Sequence, residues 1–405
     1  MSGHAAQGGA RRVSPAREVF VSFLRLGVTS FGGPIAHLGY YNDEFVRRRR
    51  WLDESTFAQV VALCQFLPGP ASSQVAIIIG LTRGGVLGAV LAWIAFTLPS
   101  AVALVAFALG IARIPGVTAA PWIHGLLIAA VAVVALAVSN MYRSLCPDVP
   151  RKIVAFAAAA LILLSPANGL VQLAVIVFGA LYGRFFLTPS HKTTQPLPVS
   201  GNRVAAVAAG AVFVGLLVGF PIAQRVVAPG WFSVFGAFYE SGALVFGGGH
   251  VVLPLLQARV VPPGWVSPST FLAGYGAAQA VPGPLFTFAA YLGAAMHGPV
   301  GGVGGAALAL FAIYLPSFLL IAAILPFWNS LMRNRSVVAA VQGVNAAVVG
   351  VLLAALYQPV WVTAVHTPAD VTLALLAFLL LDVLKTAPWL VVVASAAAAE
   401  LLHVL

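Results

Sequence analysis

The stretch Gln65-Phe66-Leu67-Pro68-Gly69-Pro70 returns later in the chain as Gln279-Ala280-Val281-Pro282-Gly283-Pro284. It belongs to a longer series of matches in the same order. Phe20, Phe23, Gly27, Phe31, Gly32 and Gly33 recur as Phe235, Phe238, Gly242, Phe246, Gly247 and Gly248. Trp51 and Phe57 return as Trp265 and Phe271, Gly84-Gly85 as Gly301-Gly302, and Leu98-Pro99-Ser100 as Leu315-Pro316-Ser317. The chain is two copies of one unit, so whatever it folds into must be built twice from one plan. The expected division is 1–186 for the first repeat, 187–230 for a linker with one additional helix, and 231–405 for the second repeat. Leu187 to Arg203 is rich in Pro, Ser and Thr and reads as a loop, and the apolar segment 203–220 behind it has no counterpart before the first copy.

Composition says what solvent the repeats face. Of 405 residues 61% are hydrophobic and 8% charged, with a mean hydropathy of +1.00, which cannot cover a water-facing surface. The chain is expected to be an all-α integral membrane protein. Four apolar segments per copy are long enough to cross: 84–111, 119–142, 150–165 and 169–186, then 300–325, 335–357, 368–384 and 387–405. The first two elements of each copy are different. Residues 17–46 are interrupted at Phe31-Gly32-Gly33-Pro34, and residues 53–82 at Pro68-Gly69-Pro70. Each arm then reaches only about 17–24 Å, too short to span, so both are expected to enter the membrane and turn back.

Loop charges set the orientation, because Lys and Arg collect on the cytoplasmic side. The first copy carries Arg47–Arg50, Arg143, Arg151 and Lys152 where the second has only Arg259. Arg333, Arg335 and Lys385 of the second copy face first-copy loops that hold Arg113 alone. The bias reverses between copies, as inverted repeats require, with helix 203–220 supplying the crossing that flips the second. Arg225 fits this pattern poorly. The protein is expected in the bacterial inner membrane, multi-pass, with its N-terminus cytoplasmic and its C-terminus periplasmic. The first residues lack the apolar core of a signal peptide.

Inverted repeats with broken helices are the plan of secondary transporters, which bind substrate at the midplane between repeats. A helix restarting behind a Gly/Pro turn offers free N–H groups and the positive end of its dipole to an anion. Gly32 and Gly33, Gly69, Gly247 and Gly248, and Gly283 are therefore candidate binding positions. Gln65, Ser72, Ser73 and His37 stand beside the first-copy turns as donors, and Gln279, Thr287 and His250 take similar places in the second. Ser and Thr there have an alternative role, bonding back to their own helix carbonyls. Arg25 and its repeat-equivalent Glu240 are the ionisable groups inside apolar segments. Arg25 could neutralise an oxyanion or pair with Glu240; Glu240 could balance Arg25 or carry a coupling proton.

Other classes of function find little here. Cys64 and Cys146 cannot make a disulfide framework or a four-thiolate metal site. The net charge of +11 is spread through loops and does not point to nucleic acid. Paired carboxylates, a metalloprotease helix, a Walker loop and a nucleophile elbow are missing from the sequence, so no enzymatic activity, cofactor or metal is expected. FLRLGVTSFGGPIAHLGYYNDEFV, LCQFLPGPASSQ, FTLPS, VFGGGHVVLPLL and GYGAAQAVPGPLFTF resemble the long-chain form of the CHR family of chromate ion transporters, over roughly residues 17–404. The resemblance implies efflux of chromate from the bacterial cytoplasm and chromate resistance, with sulfate as the stereochemical relative. The expected partners are a chromate- or sulfate-like oxyanion and the lipid bilayer, with a homodimer left open. A sulfate or other oxyanion transporter, an importer included, is the alternative reading.

Overall fold

The computed structural model describes residues 14–31, 33–112, 120–165, 169–188, 202–224, 230–246, 249–298, 300–331 and 333–404. Everything regular among them is helical. The first repeat opens with α1 (Pro15–Thr29) and α2 (Gly33–Tyr41), which runs on into a π-helical turn, Asn42–Arg48. α3 (Glu54–Phe66) and α4 (Ala71–Ala112) follow. α4 is bent at Gly84 and Gly85, the latter at φ +62°, so its first part is the return arm of a hairpin and its second part a crossing. Then come α5 (Pro121–Leu145), α6 (Val149–Leu164), α7 (Gly169–Phe186) and the additional helix α8 (Arg203–Ala223).

The second repeat runs through α9 (Trp231–Ala243), α10 (Val252–Val260), α11 (Pro268–Ala280), α12 (Phe288–Ala295), α13 (Gly302–Ile324), α14 (Arg335–Ala355), α15 (Pro368–Asp382) and α16 (Pro388–Val404). Helix starts carry their capping chemistry: Asp53 accepts from Thr56 N–H and Ser267 from Thr270 N–H, at matched places in the two repeats. The four short hairpin arms expected in the first repeat are all present, and the second repeat makes the same four. Among the described residues five helices are long and apolar enough to cross a membrane: Ala71–Ala112, Pro121–Leu145, Arg203–Ala223, Gly302–Phe327 and Arg335–Ala364. The chain is a multi-pass membrane protein. From the first hairpins to the second it runs through the crossing part of α4, then α5, α6, α7 and α8.

Close backbone approaches repeat along with the sequence. A Cβ on Gly27 would meet Phe96 O at 2.8 Å, and one on Gly242 would meet Ile313 O at 2.1 Å. At the bends, a Cβ on Gly80 would collide with Gly88 O and one on Gly293 with Gly305 O. Without a hydrophobic drive between helices in lipid, small residues that let backbones touch supply the packing. The crossing helices also interlock between repeats. α14 packs on α6 and α7, while α5 packs on α15 and α16. A Cβ on Gly343 would collide with Gly179 O, and one on Gly125 with Ser395 O.

The two halves differ in how their second hairpins pack. α11 packs on α5 and α16, with Gly276 against Leu126 O, whereas α3 packs on α4 and the π-helical turn. α8 sits at the periphery with only 11% of its apolar window buried, covering α9. α1 keeps an exposed face, with Val21, Arg25 and Val28 on it.

Gly343→Val is expected to destabilise the chain by roughly 1–3 kcal/mol through overpacking at the repeat interface. Gly215→Ala, where nothing lies within 4 Å, should leave stability unchanged. Thermal unfolding in detergent, followed by size exclusion, checks both.

Candidate functional site

Each hairpin turns where its residues cannot continue a helix. α1 stops at Thr29, and Ser30 leaves helical dihedrals (φ −86°, ψ 90°) while its N–H still donates to Leu26 O. Gly33, at φ +75°, restarts the chain. In the second hairpin Pro68 and Pro70 exclude the helical conformation from the residues before them, and Gly69 takes φ +122°. Gly283 does the same in the second repeat at φ +98°.

The breaks meet across the repeat boundary. Gly69 N–H donates to Val245 O at 2.6 Å, and Gly283 N–H donates to Ser30 O at 3.0 Å. Since Phe31 corresponds to Phe246, Ser30 corresponds to Val245. The two bonds are one contact made twice, in opposite directions, as a two-fold axis demands. A side chain on either glycine would break it. A Cβ on Gly69 would meet Ser317 Oγ at 2.8 Å and Gln74 Nε2 at 2.4 Å, and one on Gly283 would meet Ser100 Oγ at 2.9 Å. Ser100 and Ser317 are themselves equivalent, so the serines of the two Leu-Pro-Ser segments floor the opposite repeat's Pro-Gly-Pro turn.

Polar side chains knit the first-repeat tips together. His37 is buried, its Nε2 lying 3.2 Å from Ser30 O and its Nδ1 3.3 Å from Ser72 Oγ. A carbonyl can only accept, so Nε2 carries a proton, and with one proton on the ring the Ser72 hydroxyl donates to Nδ1. Ser73 Oγ lies 3.4 Å from Tyr314 OH of the other repeat. Gln74 Nε2 donates to Pro68 O at 2.7 Å and reaches Ser317 Oγ at 3.4 Å. Gln74 N–H is the first to donate backwards, to Pro70 O. The N–H groups of Ala71, Ser72 and Ser73 before it have no acceptor among the described residues. Ser30 Oγ, Trp93 Nε1 and Gln279 Nε2 are also buried without a partner among the described residues. Trp93 stacks edge-on against Tyr314, so its indole N–H belongs to the same neighbourhood.

The expected site residues divide accordingly. Gly33, His37, Gly69, Ser72, Ser73 and Gly283 belong to the joined tips. Gly32, Gly247 and Gly248 lie outside the described residues. The amides of Gly69 and Gly283, expected to be free, are engaged tip to tip; the unengaged ones are those that open α4. His250 Nδ1 lies 2.8 Å from Tyr275 OH, and the Thr287 hydroxyl donates back to Pro284 O at 2.7 Å. Gln65 is exposed on α3, and its equivalent Gln279 is half-buried on α11.

Arg25 and Glu240 do not meet. The buried stripe of α1 is Val19, Ser22, Phe23, Leu26 and Gly27, which leaves Arg25 exposed on the opposite side with Val21 and Val28. Glu240 is buried and pairs with Arg259 at the end of α10, leaving its Oε1 unpartnered among the described residues. The reason is α8. It packs on α9, where Tyr239 donates to Phe213 O at 3.0 Å, and so covers a helix whose counterpart stays open. Among the described residues no cluster of three or more His, Cys, Asp or Glu side chains could hold a metal ion.

The sequence model of the chromate transporter family matches residues 17–184 and again 232–400. The chain belongs to the chromate transporter family. It is 28% identical over 366 residues to the chromate transport protein of Pseudomonas aeruginosa, covering 87% of this chain and 83% of that one. It is 27% identical over 375 residues to the chromate transport protein of Cupriavidus metallidurans, covering 89% and 86%. An uncharacterised transporter of Methanocaldococcus jannaschii shares 26% identity over 341 residues, 84% of this chain and 83% of its own. No solved structure shows a significant match. The family is one of transporters, which agrees with an oxyanion substrate and a membrane location.

In this family member Gly283→Ala is expected to lower stability by about 1–2 kcal/mol from its left-handed backbone alone, and to reduce transport with it. Gly110→Ala, on the crossing part of α4 with nothing within 4 Å, should change neither. Paired thermal-shift and flux measurements separate the two outcomes.

Proposed function

We propose that this chain is a secondary transporter that exports chromate from the bacterial cytoplasm and so confers chromate resistance, without any enzymatic step. The reciprocal contact of the hairpin tips carries the reading. It brings the opening of α4 to the junction of the repeats with three amides unengaged and with Ser72 and Ser73 buried beside them. A dianion takes charge-assisted hydrogen bonds from such donors, and the helix dipole adds to them. His37 and Tyr314 position the two serines, one from each repeat.

The arginine-rich loops put the N-terminus and the openings of the first-repeat hairpins on the cytoplasmic side, and the C-terminus in the periplasm. The difference between α3 and α11 fits a loading conformation: α11 of the second repeat is packed against α5 and α16, while α3 packs on α4 and the π-helical turn and keeps Gln65 exposed. The membrane potential supplies a drive. One charge crossing 100 mV is worth about 2.3 kcal/mol, so a dianion leaving an inside-negative cell gains roughly twice that. The buried pair Glu240–Arg259 stays close to one tip and is the candidate for a coupling proton.

Reconstitution with an imposed inside-negative potential tests the reading. Chromate loaded on the arginine-rich side should leave faster as the potential grows. Ser72→Ala and Ser73→Ala should each slow flux about fivefold or more, as expected for losing a bond worth roughly 1 kcal/mol. Arg25→Ala, on the exposed side of α1, should stay within about twofold. Flux indifferent to both serines would remove the opening of α4 from the pathway.

A further inference from the structure

Between the π-helical turn and the start of α3 lies an open cleft of about 840 Å³, lined by Arg47, Arg50, Trp51, Asp53 and Thr56 among others. The charges around it are sorted. Glu18 holds Arg49 at 3.1 Å and Arg83 at 2.8 Å, and Glu44 holds Arg48 at 2.7 Å and Arg49 at 2.6 Å. Arg47 and Arg50, both exposed, meet no carboxylate among the described residues, and they are the two arginines that line the cleft. The one acid of the lining has both carboxylate oxygens engaged by Thr56. Asp53 gives Oδ1 to Thr56 N–H and Oδ2 to the Thr56 hydroxyl, both at 2.8 Å, capping α3.

The repeat supplies an internal comparison. Trp51 corresponds to Trp265, so Arg50 corresponds to Gly264. Both residues are left-handed, at φ +54° and φ +74°. Glycine adopts that backbone freely and arginine does so at a cost. The second-repeat loop, Val261 to Ser267, has no Lys or Arg, and Arg259 just before it is held by Glu240. One face of the molecule therefore carries an unneutralised arginine pair where the other carries none, and it carries one of them on a backbone better suited to glycine.

The geometry points to a loading site: the Arg47–Arg50 cleft captures a small tetrahedral oxyanion from the compartment it faces and concentrates it at the mouth of the first-repeat hairpins. This deepens the export reading and rests on it for which face loads. Guanidinium forks suit a tetrahedral dianion, and a cleft with an excess of positive charge focuses its field on arriving anions. A lipid phosphate offers the same chemistry, so lipid composition is part of the test.

The full chain is reconstituted in purely zwitterionic lipid, and chromate flux is measured from the arginine-rich side. The variants are Arg47→Gln, Arg50→Gly, which installs the residue of the second repeat, and the control Arg143→Gln, which removes the same charge elsewhere. The site raises the apparent KM about fivefold or more in each cleft variant, leaves the maximal rate within about twofold, and weakens the inhibition of flux by salt. Arg143→Gln changes KM by less than about twofold. Equal shifts in all three variants, or none in any, overturn the proposal. A KM effect that appears only with anionic lipid present also overturns it, assigning the cleft to a headgroup. A second measurement does not need flux: phenylglyoxal modification in zwitterionic lipid, read residue by residue. Sulfate should slow labelling of Arg47 and Arg50 but not Arg143, relative to chloride at equal ionic strength. Protection without chromate flux sinks the export reading and keeps the site. Flux without protection or a KM shift sinks the site and keeps the export reading.

Discussion

Two backbone hydrogen bonds hold the centre of this molecule, from Gly69 to Val245 and from Gly283 to Ser30. Broken helices at membrane depth leave amides and carbonyls that lipid cannot satisfy, each a penalty of several kcal/mol. The fold meets that demand by turning one repeat over and giving each Pro-Gly-Pro turn the broken end of the other repeat's first hairpin as its partner. Neither half could do this alone, since donor and acceptor belong to different copies. The arrangement also explains why the turns carry glycine: the serines at positions 100 and 317 occupy the space a side chain would need.

The same exchange decides which amides at the tips are already engaged. Those inside the turns are taken by the opposite repeat. The free ones lie one step further along, at the opening of α4, where Ser72 and Ser73 are fixed by His37 and Tyr314. The symmetric scaffold is then made unequal by additions outside the repeat. α8 covers α9 and makes Glu240 a buried ion-paired group, while the matching Arg25 remains outside. The loops diverge too, with arginine in one and glycine in the other at a shared left-handed position.

Much of this was legible in the residues. Repetition of the Gly/Pro breaks gave the hairpins, the reversed loop charges gave the inversion, and apolar run lengths placed the long helices within a few residues of their observed ends. Local donors such as His37, Ser72 and Ser73 were legible because the motif sets them beside a turn. Partners across the repeat boundary were not: nothing near Gly69 in sequence points to Val245, and Ser100, Ser317 and Tyr314 act on a tip far from them along the chain. The pairing of Arg25 with Glu240 failed for a related reason. Equivalent positions were assumed to have equivalent surroundings, and α8 breaks that equivalence. Arg259, the true partner of Glu240, resembled an ordinary loop charge until the hairpin folded back.

The most direct measurement is the position of chromium by anomalous scattering in crystals of the full chain grown with chromate. The account places the metal of the bound oxyanion beside the first amides of α4, within reach of the Ser72 and Ser73 hydroxyls and next to the tip contacts. Chromium found only on the lipid-facing surface or between crossing helices remote from the tips, with the opening of α4 dry, would contradict it.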